Sequence, residues 1–71
     1  MRDVEISKEP IELYKILKFE GLLASGGEAK HAVAEGQVLV NGAIETKKRK
    51  KIVAGDVITF GEETLKISLK E

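Results

Sequence analysis

The chain has 71 residues, 42% hydrophobic and 34% charged, with twelve cations, twelve acids, one histidine and no cysteine. That length suits one small core and excludes large enzymes, repeat arrays and two-domain clefts, while the missing cysteine excludes disulfides, thiolate nucleophiles and zinc–thiolate sites. With two Phe, one Tyr and no Trp the core is expected to be aliphatic. No apolar stretch precedes Pro10 as in a secretory leader, and none approaches the roughly 20 residues that cross a bilayer. A single domain over residues 1–71 in the cytoplasm is therefore expected.

The alternation of Val4 and Ile6 predicts a short opening strand. Pro10 suits the first turn of a helix, where its missing N–H costs nothing. From Ile11 to Glu20 the residues Leu13, Tyr14, Ile16 and Leu17 share one face, and Glu12, Lys15 and Lys18 another. This predicts an amphipathic helix of about three turns, closed by Gly21, with Leu22 and Leu23 folding back on the core. Ser25-Gly26-Gly27-Glu28 has the spacing of a capping box, in which the Ser hydroxyl accepts from the Glu amide and the Glu reaches back to the Ser amide. A second helix should follow, with Ala29, Ala32 and Val33 inward and Gly36 at its end.

Beyond Gly36 the apolar period changes to two. Val38 and Val40 lead into Asn41-Gly42, a type I′ hairpin signal, and then into Ala43-Ile44. Lys47 to Lys51 is an unbroken basic run before Ile52-Val53-Ala54. Gly55-Asp56 turns into Val57–Phe60, and Gly61-Glu62-Glu63 turns into Thr64–Leu69, whose alternation predicts one buried face. The fold class is α+β: two packed helices, then a small, mainly antiparallel sheet of three to five strands, with the opening strand at an edge.

Catalytic chemistry has little to work with. His31, the sole histidine, falls off the inward stripe of the second helix and reads as a solvated surface residue. Its functional alternative is a hydrogen bond to a phosphate or a base. No nucleophile and acid converge on it in any recognisable spacing, and no cofactor or metal is expected. Gly26-Gly27 ahead of a helix offers bare amides to an anion, but lacks the lysine and spacing of a P-loop. Asn41-Gly42 reads as a turn, and Tyr14 as a core-edge residue that would offer a stacking face if exposed.

The basic run carries the strongest signal. Net charge is zero, yet residues 37–55 hold five cations and one acid, and residues 56–71 two cations and four acids. A partner responds to the potential within a Debye length, roughly 8 Å at physiological salt, so a neutral protein still presents a basic face. Lys47, Lys48, Arg49, Lys50 and Lys51 repel one another, and such density fits the tracking of phosphates. An extended strand would aim about three of the five at one ligand surface.

The order Leu13…Leu17…Gly21-Leu22…Ser25…Ala29…Val33…Gly36-x-Val38-x-Val40-Asn41-Gly42, then Gly55-Asp56-x-Ile58, resembles the S4-type RNA-binding domain from Ile11 to Phe60. The Ser-Gly-Gly-Glu-Ala-Lys junction and the short length resemble its small free-standing bacterial members, the YbcJ/YaaA-like group. The resemblance implies an αL motif, two helices and a following hairpin, that docks on structured RNA of the ribosomal or transfer RNA class, with the ribosome as a candidate assembly. It also implies an Arg at the start of the first helix and another after the junction Ser. Here those positions hold Glu12 and Gly26. Lys30 and the basic run are available as substitutes, so Ser25, Gly26, Gly27, Lys30 and Lys47 to Lys51 are expected to form one phosphate-binding face. The alternative is a protein–protein interaction module in a translation-related or regulatory complex. Neither reading involves a membrane or a small-molecule substrate.

Overall fold

The computed structural model describes residues 1–70. In chain order it contains β1 (Arg2–Ile6), β2 (Ile11–Glu12), α1 (Leu13–Phe19), α2 (Gly26–Ala34), β3 (Val38–Val40), β4 (Ala43–Ile44), β5 (Lys51–Ile52), β6 (Val57–Phe60) and β7 (Glu63–Leu69). Five strands form one sheet in the order β1-β7-β6-β3-β4, and β2 and β5 pair separately. The main sheet is antiparallel except at its edge, where β1 runs parallel to β7. The α+β expectation holds, with two helices packed against each other and a mainly antiparallel sheet.

Strand register explains where the core sits. Side chains alternate between faces along a strand, so laterally paired residues share a face. Val40 pairs with Ile58, Ile58 with Leu65, and Val4 with Ile67, and all of these are buried. The helices lay Leu13, Ile16, Leu17, Ala29, Ala32 and Val33 onto that face. Leu22 and Leu23 pack against its margin as expected. The small Ala29 and Ala32 allow α2 to approach closely.

The helix ends follow local chemistry. Both C-termini carry paired Schellman bonds. After α1, Gly21 N donates to Lys18 O at 3.0 Å and Leu22 N to Leu17 O at 3.1 Å; after α2, Gly36 N donates to Val33 O at 3.0 Å and Gln37 N to Ala32 O at 3.1 Å. Gly21 and Gly36 both take φ of 76°, which a side chain would strain. At the start of α2, Glu28 N donates to Ser25 Oγ at 3.2 Å. Glu28 does not return to the Ser25 amide; its carboxylate accepts from Ala24 N, one residue earlier, at 3.1 Å.

The β3–β4 turn is as predicted, with φ of 53° at Asn41 and 84° at Gly42. Asn41 also does more than turn the chain. Its Nδ2 donates to Asp56 Oδ1 at 3.0 Å, and its Oδ1 accepts from Val57 N at 2.9 Å. Asp56 Oδ2 in turn accepts from Val53 N at 3.0 Å. The hairpin tip and the Gly55-Asp56 turn are thereby locked together.

Two further expectations fail, for one reason. The first helix does not start at Ile11, and Pro10 does not open it. Ile11 and Glu12 are instead extended and pair with Ile52 and Lys51, leaving α1 two turns long. The basic run is likewise not one extended strand. Lys50 N donates to Lys47 O at 3.0 Å, closing a turn, and only Lys51 enters a strand. Backbone pairing across about 40 residues of sequence decides both segments, and neither local pattern reports it.

Ile52 is fully buried, whereas its neighbour Val53 is 42% exposed. Ile52 therefore anchors the end of the basic segment in the core. Ile52→Ala is expected to lower unfolding stability by about 2–5 kcal/mol, and Val53→Ala by no more than about 1 kcal/mol. Urea unfolding of the two variants measures this, and equal losses would show that β5 is not anchored in the core.

Candidate nucleic-acid interface

The basic segment is held against the start of α1 by backbone bonds. The first amides of any helix lack acceptors within the helix. Here Glu12, the residue before α1, supplies no side-chain cap. Leu13 N donates instead to Lys50 O at 2.8 Å, and Tyr14 N to Lys48 O at 3.1 Å. The carbonyls of the basic turn thus cap the helix. Its other end is fixed as well: Lys47 N donates to Glu45 Oε2 at 3.1 Å, and beyond β5 Ala54 N donates to Glu9 Oε2 at 2.8 Å. Lys47 to Lys51 are all solvent-exposed on this pinned backbone.

Tyr14, in the first turn of α1, gathers cations from two elements. Lys30 Nζ of α2 lies 4.7 Å from the centre of its ring, and Arg49 Cζ of the basic turn lies 5.8 Å from it. Cations within about 6 Å of an aromatic centroid are attracted by the ring quadrupole. The start of α2 reaches the same ring: a Cβ built on Gly26 would stand 3.8 Å from Tyr14 Cε2 and 3.9 Å from Lys18 Cδ. Gly26 and Lys30 of α2 and the sequence-distant Arg49 therefore meet around one aromatic side chain, with Ser25 next to Gly26 in the chain. Lys18 joins the same margin.

Glu12 sits among the cations. Its Oε1 lies 3.3 Å from Lys15 Nζ, and its Oε2 lies 3.4 Å from Arg49 Nη1. It also pairs across the β2–β5 ladder with Lys51. Desolvation alone would raise its pKa, but the Lys15 hydrogen bond and the charges of Lys15 and Arg49 outweigh it, and the net shift is downward. A position where the family resemblance implies an Arg holds an acid that positions a cation from elsewhere.

Of the remaining expected residues, Lys47, Lys48 and Lys50 belong to the basic turn beside this centre, whereas Lys51 and Gly27 face elsewhere. Lys48 and Lys50 supply the capping carbonyls, and Lys47 begins the turn. Lys51 lines a cleft on the other flank of α1, with Lys8, Lys15 and Phe19. Gly27 faces a separate depression lined by Leu23, Glu28, His31 and Gln37. His31 itself is exposed. The sequence places Tyr14 at the core edge, where the structure has it, but gives neither its gathering of cations nor the parts of Lys18 and the Glu12 pairing. The Glu12–Lys15 and Tyr14–Lys18 spacings of three and four residues were visible signals, whereas the approach of Arg49 had none.

Comparison with known proteins adds context. Residues 4–68 match the family described as S4 domain. The chain is 47% identical over 68 residues to YbcJ of Escherichia coli (strain K12), covering 94% of this chain and 97% of that protein. It is 36% identical over 55 residues to the "probable ribosome maturation protein RlbA" of Bacillus subtilis (strain 168), covering 78% of each. The solution structure of E. coli YbcJ, described as having an αL motif involved in RNA-binding, matches with a TM-score of 0.73 and 46% identity, over 96% of this chain and 87% of that one.

The lowered pKa of Glu12 fixes the sign of a pH effect. A carboxyl group with a depressed folded-state pKa contributes stability above its unfolded pKa, and loses it as pH falls through the folded value. Wild type is therefore expected to exceed Glu12→Gln in urea stability at pH 7, and the gap to close on acidification through the carboxylate range. A gap of the same size at pH 3 would mean that ion pairing is not its source.

Proposed function

The chain belongs to the S4 domain family, and on that premise we propose that it is a non-enzymatic RNA-binding module spanning the chain, which docks on structured RNA of the ribosomal or transfer RNA class. The observation that carries this reading is the Tyr14 cluster, where Lys30 of α2 and Arg49 of the basic turn meet on one ring. It is supported by the RNA-binding αL motif described for YbcJ and the ribosome maturation role in the name of RlbA.

Ser25, Gly26, Gly27, Lys30 and Lys47 to Lys51 form the phosphate-binding surface in this reading. Each member has a chemical role. The lysines and Arg49 neutralise phosphates and release condensed counterions, which supplies sequence-independent affinity. Arg49 presents a planar fork that suits two phosphate oxygens. Ser25 Oγ already accepts the Glu28 amide, so its hydroxyl proton remains to donate. The Gly26 and Gly27 amides stand at the positive end of α2. Backbone bonds hold the turn before RNA arrives, so little ordering entropy is lost on docking.

Shape selects the RNA in this scheme. A helix pair beside a pinned turn matches phosphates at fixed separations, as in recognition of folded RNA by backbone geometry. Glu12 tempers the surface: any phosphate that engages Arg49 competes with a carboxylate 3.4 Å from the guanidinium.

Titration of a panel of folded RNAs across a salt series tests the proposal. Four or five phosphate contacts correspond to a log–log slope of about −3 to −4. Lys30→Ala is expected to weaken binding about as much as Arg49→Ala and to make the slope shallower by about one. Glu12→Gln is expected to strengthen binding. If Lys30→Ala leaves affinity unchanged, the two elements do not form one surface; if no RNA binds even at low salt, the RNA reading fails.

A further inference from the structure

The flank of α1 away from α2 carries a cleft that the phosphate surface shares only through Lys51. It has a volume of about 460 Å³. Its apolar lining is Pro10, Ile11 and Phe19, and its rim carries Lys8, Lys15 and Lys51. Glu12, the acid in the lining, already has its two oxygens on Lys15 and Arg49, so the cleft presents net positive charge.

Phe19 is the unusual member. It is the last residue of α1 and is 68% exposed, although partly buried apolar residues pack the core margin nearby. A single exposed apolar side chain is ordinary on a protein surface. A flat ring beside a cleft with three ammonium groups is a more particular arrangement. Lys18, whose Cδ borders the Tyr14 cluster at Gly26, has its Nζ 5.9 Å from the Phe19 centroid. Lys51 belongs to the basic run and to the cleft at once. The two flanks of α1 are therefore continuous in charge through Lys15, Lys18 and Lys51, and they differ in that only the Phe19 flank adds an open aromatic face.

Charge and shape together specify an occupant. An aromatic or apolar floor receives a planar base, and ammonium groups around it receive the phosphates on either side. Side chains of this kind recognise unpaired nucleotides, whose faces are free to stack. We infer that this cleft takes one unstacked nucleotide of the bound RNA, with its base on the Phe19 ring and its flanking phosphates on Lys15 and Lys51. The inference rests on the RNA-binding reading above and adds a preference to it: folded RNA with an unpaired nucleotide next to the docked helix is favoured over an unbroken duplex.

Two RNA hairpins of identical stem test this, one fully paired and one with a single bulged 2-aminopurine. Binding is measured at low salt, where phosphate contacts give affinity to both. Wild type is expected to bind the bulged hairpin at least about fivefold more tightly, the lower end for stacking one base on an aromatic ring, and to change the 2-aminopurine fluorescence. Phe19→Leu removes the ring while keeping an apolar side chain at an exposed position, and its unfolding midpoint checks the fold. It is expected to lose the preference and the fluorescence change while binding the paired hairpin as wild type does. If wild type binds both hairpins alike, or Phe19→Leu keeps the preference, the cleft is not a base site and the phosphate surface stands without it. If neither hairpin nor any other folded RNA binds, the RNA reading itself is overturned and this inference with it.

Discussion

Two backbone hydrogen bonds organise the candidate interface. Leu13 and Tyr14 donate to the carbonyls of Lys50 and Lys48. A short helix without a side-chain cap must find acceptors for its first amides, and a five-cation segment would otherwise repel itself into an open loop. Each need meets the other. The carbonyls of the basic turn face the positive end of the helix dipole, which favours them, and the cationic side chains remain in solvent. Fully buried Ile52 and the Asn41–Asp56–Val57 network then hold the two ends of the segment that follows.

Acids stand close to this concentration of charge. A protein that concentrates cations on one surface pays for it in self-repulsion unless acids are placed nearby. Glu12 does so directly, contacting Lys15 and Arg49 and lying opposite Lys51 in the ladder. Elsewhere Arg2 of β1 reaches Glu20 at 3.4 Å and Glu63 at 3.5 Å, drawing acids toward the sheet edge. Exposed pairs of this kind add little stability.

Tyr14 shows how a marginal core residue can become the centre of a site. Half-buried, its ring packs against the core, borders Gly26 at the start of α2, and receives Lys30 and Arg49. Phe19, five residues later on the same short helix, faces a different cleft and stays open. The exposed side of α1 thus divides into one half-buried aromatic between two cations and one exposed aromatic with Lys18 near its ring. Lys15 and Lys18 lie between them in sequence. The two rings give the helix two distinct capacities on one charged surface.

The amino-acid sequence by itself determined the local elements: the Val4/Ile6 strand, the Ser25 cap, the Gly21 and Gly36 helix ends, the Asn41-Gly42 hairpin and the buried face of Leu65 and Ile67. Each depends on neighbours within a few residues, through capping, positive φ or a period of two, and so can be read from the letters. It also located the basic run, because charge density is compositional. Tertiary structure alone decided that Ile11 and Glu12 leave the helix for a strand with Lys51 and Ile52, and that the run bends into a turn. It alone decided that Glu28 caps at Ala24, that Asn41 reaches Asp56, and that Glu12 and Tyr14 share Arg49. Apart from the local Glu28–Ala24 and Lys50–Lys47 bonds, those contacts join positions 15 to 41 apart. Their free energy comes from desolvation and pairing that exist only once the core has closed, and no local propensity encodes it.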